Sequence, residues 1–268
     1  MPNSKTVTAS DLIRESLGQI VQNRRQILPI MGLIWLLQVP SFFSEKAFLP
    51  HDAMTLMGLP SGWVSIIPAI IVMLAVYLGP AWSAVGWHRL NLLDEQPARF
   101  LPRWRPQPVL DYFIIWLFLP ILIWGGPALA ALLAAGMLRL LDAPPWLSML
   151  PALPAIIVAV WLTLRLSPVP VSRAVLRPLS LAQAFQRTAH LTRALWSVAF
   201  LSILLLLPIM TALIEIGYFL ADQTGYSGTH YAIFADGIAF EALYAVFVLL
   251  SISMANTIYR HMAPPTYS

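Results

Sequence analysis

The chain is 268 residues long, 59% hydrophobic and only 10% charged, with a net charge of +4 and no cysteine. Soluble domains carry about 25% charged residues, so there are too few charges here for a polar shell, and lipid must solvate most of the surface. The absence of cysteine excludes disulfides, thiolate metal sites and a cysteine nucleophile. The arginines gather in loops beside apolar runs, which points to anionic lipid headgroups and away from nucleic acid.

Residues 1–25 read as a polar, cytoplasmic lead-in to the first span. They carry Lys5, Asp11, Arg14, Glu15, Arg24 and Arg25 and no apolar stretch, unlike a cleavable leader. Thr8-Ala9-Ser10-Asp11 fits a capping box, in which a hydroxyl and a carboxylate satisfy the free N–H groups of a helix start. Ile13, Leu17 and Ile20 then recur at helical spacing, with Arg14, Gln19, Gln22 and Asn23 on other faces. Two readings fit: an amphipathic helix lying on the membrane surface, or a capped extension of the first span.

Six uncharged runs follow: Gln26–Ser44, Trp63–Trp87, Tyr112–Leu138, Ala143–Leu164, Ala194–Ile214 and Ala242–Tyr259. A helix rising 1.5 Å per residue needs about 20 residues to cross a core of roughly 30 Å. Backbone without water to bond must be helical, so the expected fold is all-α, a polytopic membrane protein of six transmembrane helices in one integral domain. With the N-terminus placed inside, 14 of the 16 basic residues fall in cytoplasmic segments, and only Lys46 and Arg139 lie on the far side. Positive-inside asymmetry therefore predicts both termini in the cytoplasm. Gly125-Gly126-Pro127 is a candidate interruption of the long third run. Of the 23 prolines, Pro29, Pro40, Pro68, Pro80, Pro120, Pro127, Pro151, Pro154 and Pro208 sit in or near spans. They are either tolerated kinks or broken helices lining a transport site.

Small residues at every fourth position, Ala75, Gly79 and Ser83 in the second run and Gly126, Ala130 and Ala134 in the third, predict close helix packing. Ser251, Ser253 and Asn256 are expected to bond between helices. Ser10–Leu28 and Ser180–Val198 share a rhythm of hydroxyl residue, amphipathic helix, arginine and span, a weak internal repeat.

The segment Arg165–Arg193 holds five arginines and no acid. From Ser180, Leu181, Ala184, Phe185, Thr188 and Leu191 form one face of a helix, and Gln183, Gln186, Arg187, His190 and Arg193 form the other. Arg165, Arg173, Arg177, Arg187, Arg193 and Phe185 are thus expected at the headgroups of the anionic cytoplasmic leaflet. His88 closes the second run beside Arg89, as polar surface or as a proton shuttle near neutral pH, and Arg89 is placed to pair with Asp94 or Glu95. Glu215, His230, Asp236 and Glu241 flank the last hairpin; their spacing matches no metal motif, and they read as solvated edge residues. No catalytic motif is present: no His-Glu-x-x-His, Gly-x-Ser-x-Gly, phosphate-binding loop or Gly-x-Gly-x-x-Gly. No cofactor and no metal are expected.

Trp87-His88-Arg89 with Leu92, Leu93 and Glu95 resembles the segment after the second helix of some bacterial multi-helix membrane proteins of unknown function. Arg165-Leu166-Ser167, with Pro170 and then Ser180-Leu181, Ala184-Phe185 and Thr188, is similar to the segment after their fourth helix. Both also resemble, more loosely, the membrane domain attached to glycerophosphodiester phosphodiesterases. The resemblance implies a six-helix protein of the bacterial inner membrane; no phosphodiesterase domain is present, so that activity does not carry over. The expected role is non-enzymatic, through contact with lipid or a membrane-protein partner. The alternatives are a transporter of a small or lipidic solute, or a membrane enzyme acting on lipid through His88 or His190.

Overall fold

The computed structural model describes residues 6–32, 63–99, 101–144, 147–223 and 230–262; within helices, 63–77, 149, 206, 207, 210, 213–223 and 230–244 are described by backbone alone. The elements, in order, are α1 (Ala9–Gln22), α2 (Arg24–Ile27) running into a π-turn (Leu28–Gly32), α3 (Trp63–Leu93), α4 (Pro106–Leu140), α5 (Ala152–Leu166), α6 (Pro168–Ala174), α7 (Leu181–Arg187), α8 (Thr192–Gln223) and α9 (His230–His261). Strands are absent among the described residues.

The capping box forms as the sequence suggests. The Thr8 N–H donates to Asp11 Oδ2 at 3.1 Å, and the Asp11 N–H to Thr8 Oγ1 at 3.3 Å. Ser180 and Gln183 build a second box at the start of α7. The two capped segments match in pattern from their caps onward: Leu12, Ser16 and Gln19 are buried in α1, and Ala184, Thr188 and Leu191 at the same spacing after Ser180. In each, the central hydroxyl donates back to the carbonyl four residues earlier, Ser16 to Leu12 and Thr188 to Ala184. The repeat therefore pairs Thr8, not Ser10, with Ser180. The faces of α1 also differ from expectation: Gln19 is buried against α9, while Leu17 and Val21 are exposed.

Several helix bounds depart from the apolar runs. α4 begins six residues before Tyr112 and passes through Gly125, Gly126 and Pro127 unbroken. α5 starts only at Ala152, after a short 3-10 turn, and the helical path continues past Arg165 into α6. Of the first expected span, residues 33–44 lie outside the described residues. Among the described residues two helical segments, Pro106–Leu140 and Ala152–Ala174, are long and apolar enough to cross a membrane; a third forms if Leu181–Arg187 and Ala189–Leu205, bent by 51°, count as one. Three helix ends close in left-handed conformation at Asp94 (φ 53°), Asp142 (φ 54°) and Leu176 (φ 57°). Aspartate tolerates this region, whereas leucine adopts it at a cost.

Among the residues whose side chains are described, the core draws on the C-terminal part of α3 (Ala81–Asn91), the start of α4 (Pro108, Val109, Tyr112), the start of α8 (Ala194–Ala199) and the C-terminal part of α9 (Ala245–Ile258). They close around α1 and α6. The far part of α4 is different: Ile121 (67% exposed), Leu132 (70%) and Met137 (67%) are mostly uncovered. Apolar surface on this scale requires an apolar solvent.

Candidate functional site

Uncharged polar side chains, which are costly to bury unpaired, are found among the buried positions of the described residues. His88, Asn256 and Thr257 are wholly buried and Gln19 nearly so. Asn256 Nδ2 donates to Gln19 Oε1 at 3.4 Å, so its Oδ1, 2.6 Å from His88 Nδ1, is left to accept. His88 must then carry its proton on Nδ1, and Nε2 accepts from the Tyr112 hydroxyl at 3.3 Å. Gln19 Nε2 donates to Thr257 Oγ1 at 2.8 Å, and Thr257 donates to Ser253 O at 3.2 Å. Trp87 Nε1 donates to Ser253 Oγ at 2.9 Å. Asn23 Nδ2 donates to Asn91 Oδ1 at 3.0 Å, and Arg260 Nη2 donates to Asn91 O. Donors and acceptors are matched through α1, α3, α4 and α9, which is how a buried polar network stabilises a unique packing. His88 is therefore not the polar surface residue expected at a helix end.

Arg89 pairs with Glu95, not Asp94: Nη2 lies 2.6 Å and Nε 2.8 Å from Glu95 Oε2, and Nη1 donates to Ala174 O at 2.9 Å. Arg105 reaches Glu95 Oε1 at 3.2 Å. Partial burial pushes the Glu95 carboxyl up, but the hydrogen bond and charge of Arg89, joined by those of Arg105, outweigh it and hold the group below its ordinary range. This clamp ties the end of α3 to α6 and to the loop before α4.

Arg165 departs most from expectation. It is 7% exposed, with its guanidinium 3.6 Å from the Phe185 ring centroid and 5.1 Å from that of Trp161. Nη2 donates to Phe185 O at 3.0 Å and Nη1 to Thr192 Oγ1 at 3.1 Å. It joins α5, α7 and α8 from inside and does not face lipid. Phe185 is committed to the same sandwich, with its outer edge exposed.

Arg177 and Arg193 are exposed, and Arg173 and Arg187 partly so. None of the four is in a salt bridge among the described residues. Arg173 Nε is buried without a hydrogen-bond partner. Leu176, Leu181 and Trp196 stand exposed along the same stretch. His190 is exposed and bonded to His261 O at 2.9 Å, away from the His88 network. Gly79 and Ser83 are buried, and Ser83 Oγ donates to Ile30 O at 3.0 Å. Gly126 and Ala130 are exposed and Ala134 partly so, with no described atom near the open face of Gly126, so the expected packing stripe is not used within the described fold. The side chains of Ala75, Glu215, His230, Asp236 and Glu241 lie outside the described residues.

The partners of His88 were not legible in the sequence, nor was the burial of Arg165. Both had one usable signal: a single polar residue at the end of an apolar run, within a turn of tryptophan, is as well placed for a helix interior as for the surface.

The long apolar helices, with their uncovered outer faces, define a helical membrane-associated protein. Comparison with family models, curated proteins and solved structures found no match for the chain.

Proposed function

We propose that the protein is a six-span protein of the bacterial inner membrane, with both termini in the cytoplasm, that acts by contact with anionic lipid and without catalysing a reaction. The observation that carries this reading is the stretch from α6 to the start of α8, where Arg177, Arg187 and Arg193 stand outside any ion pair among the described residues, in the same stretch as exposed Leu176, Leu181 and Trp196. Cations above apolar side chains match the order of headgroup and acyl chain at a leaflet surface. Of the nearby acids, Glu95 is spent on Arg89 and Arg105 and Glu15 on His261, and neither Asp94 nor Asp111 forms a salt bridge with these arginines among the described residues. The sealed His88 network supports a structural duty for the histidine that an enzyme at this interface would need free.

Reconstitution of the full chain in nanodiscs tests this. Phosphatidylglycerol discs should raise its thermal stability above that in phosphatidylcholine discs, with a difference that shrinks as salt is added. Equal stability in the two lipids would overturn the reading.

A further inference from the structure

The loop between α3 and α4 folds back along α3. Ala98 and Leu101 close a tight turn by exchanging backbone hydrogen bonds of 2.9 and 2.8 Å, with Arg99 held in left-handed backbone at φ 36°. Arginine adopts that conformation at a cost, and such strain persists where the surroundings fix it. Pro102 is buried directly against α3: a Cβ added at Gly86 would lie 2.6 Å from the Pro102 Cβ, so glycine is what lets the loop come this close. Trp82 Nε1 then donates to Arg103 O at 3.4 Å, and Arg105 is tied to Glu95 at 3.2 Å.

This return leaves a cleft of about 430 Å³ between loop and helix. Trp82 and Trp104 wall it, edge to face with ring centroids 5.2 Å apart. Leu101 and Pro102 add apolar lining, and the exposed Arg99 and Arg103 line it too. Among the described residues no acid lines the cleft, and neither arginine is in a salt bridge. Aromatic walls with two unpaired cations fit an anionic amphiphile. A cationic ligand would be repelled, and a bare anion would leave the apolar walls without a partner. Depth points the same way. From Trp63 to Trp82, α3 rises about 28 Å at 1.5 Å per residue, which matches a hydrocarbon core of roughly 30 Å. On the proposed topology Trp82 therefore falls at the cytoplasmic boundary, and the returning loop brings Arg99 and Arg103 to the level of the headgroups.

We propose that this cleft binds one anionic phospholipid, with its phosphate at Arg99 and Arg103 and the start of its acyl chains against Trp82 and Trp104. It is a lipid site separate from the stretch between α6 and α8, and it rests on the lipid-contact reading.

The test uses the full chain in detergent, titrated separately with phosphatidylglycerol, phosphatidylcholine and inorganic phosphate, and read by native mass spectrometry and thermal shift. The wild type should retain phosphatidylglycerol in preference to phosphatidylcholine. R99Q/R103Q should bind it about thirtyfold more weakly, from the usual worth of two basic residues at an anionic headgroup. Both positions are exposed, and glutamine at 99 meets the same backbone strain, so this variant should unfold with the wild type in lipid-free detergent. W104A keeps both arginines and should weaken phosphatidylglycerol about tenfold by removing an apolar wall. R177Q/R187Q lies in the other basic stretch, and its loss should add to that of R99Q/R103Q when the four changes are combined. R24Q/R25Q should match the wild type. Wild-type affinity in R99Q/R103Q or in W104A overturns the cleft, and a loss confined to R177Q/R187Q leaves the lipid-contact reading standing. An equal loss in R24Q/R25Q overturns the cleft in favour of diffuse attraction. Equal protection by inorganic phosphate overturns the amphiphile in favour of a bare anion. A wild-type dimer that R99Q/R103Q loses overturns the lipid in favour of a second copy of the chain. Wild-type protein that holds both lipids alike overturns the lipid-contact reading itself.

Discussion

At the scale of single residues, the buried polar groups decide more than the exposed charges. Asn256 serves His88 and Gln19 at once. Asn256→Leu would leave the His88 Nδ1–H and Gln19 Oε1 buried without partners and should cost about 2–4 kcal/mol. Tyr112→Phe removes only the 3.3 Å bond to Nε2 and should cost about 1 kcal/mol or less. Thermal unfolding of the two variants in one detergent checks the order; equal losses would break the assignment. Glu95 gives a pH signature. Its folded-state pKa lies below the unfolded one, so its contribution is present above the unfolded value, about 4.3, and fades as pH falls through the folded value. Glu95→Gln should therefore be less stable than wild type at pH 7, by about 3 kcal/mol for a mostly buried pair that loses one member. The gap should close in acid, and a constant gap from pH 7 to 3 would show that the charge is not what matters. Of these contacts the sequence disclosed the Arg89 pair, because its partners lie within one turn and loop. It could not disclose Asn256, which sits 168 positions from His88 and meets it only through packing.

At the scale of elements, caps were legible and breaks were not. Thr8-Asp11 and Ser180-Gln183 announce helix starts because the bonds they make are local. The helix expected from Ser180 to Arg193 instead stops at Arg187 and resumes in α8. The cause lies in another element. Phe185 O, which should accept from the N–H of residue 189, is taken by Arg165, and Thr188 Oγ1 turns back to Ala184 O at 2.8 Å. Periodicity sees only which residues are apolar, so a carbonyl captured from 20 positions away leaves no trace in it. Arg165→Met should free Phe185 O and remove the stacked cation. We expect a loss of about 2 kcal/mol, since relief of a buried charge offsets part of the lost hydrogen bonds and ring contacts. Hydrogen exchange at residues 186–191 should slow as the helix closes through Thr188. Unchanged exchange would place the cause of the break elsewhere.

At the scale of the whole molecule, the packing among the described residues lies beside the basic segments. The described buried side chains of α3, α8 and α9 and most of those of α4 lie near the arginine-bearing segments, while α4 beyond Ile123 has no buried side chain among the described residues. Composition made the apolar exterior legible, because 10% charged residues cannot cover a surface. It could not say which side chains would pack, since lipid supplies no hydrophobic drive between helices and the choice falls to polar bonds and close contacts. The proposed topology follows from the charge asymmetry: basic segments resist transfer across the membrane and stay on the side where the chain was made. The chain has no cysteine, so single cysteines can be introduced and labelled without background. Gln186→Cys, exposed on α7, should react in intact cells only with a membrane-permeant thiol reagent, whereas Gly225→Cys should react with an impermeant one. The reverse pattern would invert the molecule. Labelling of both positions by the impermeant reagent would remove the span that α8 is proposed to make, and with it the alternation on which six spans depend.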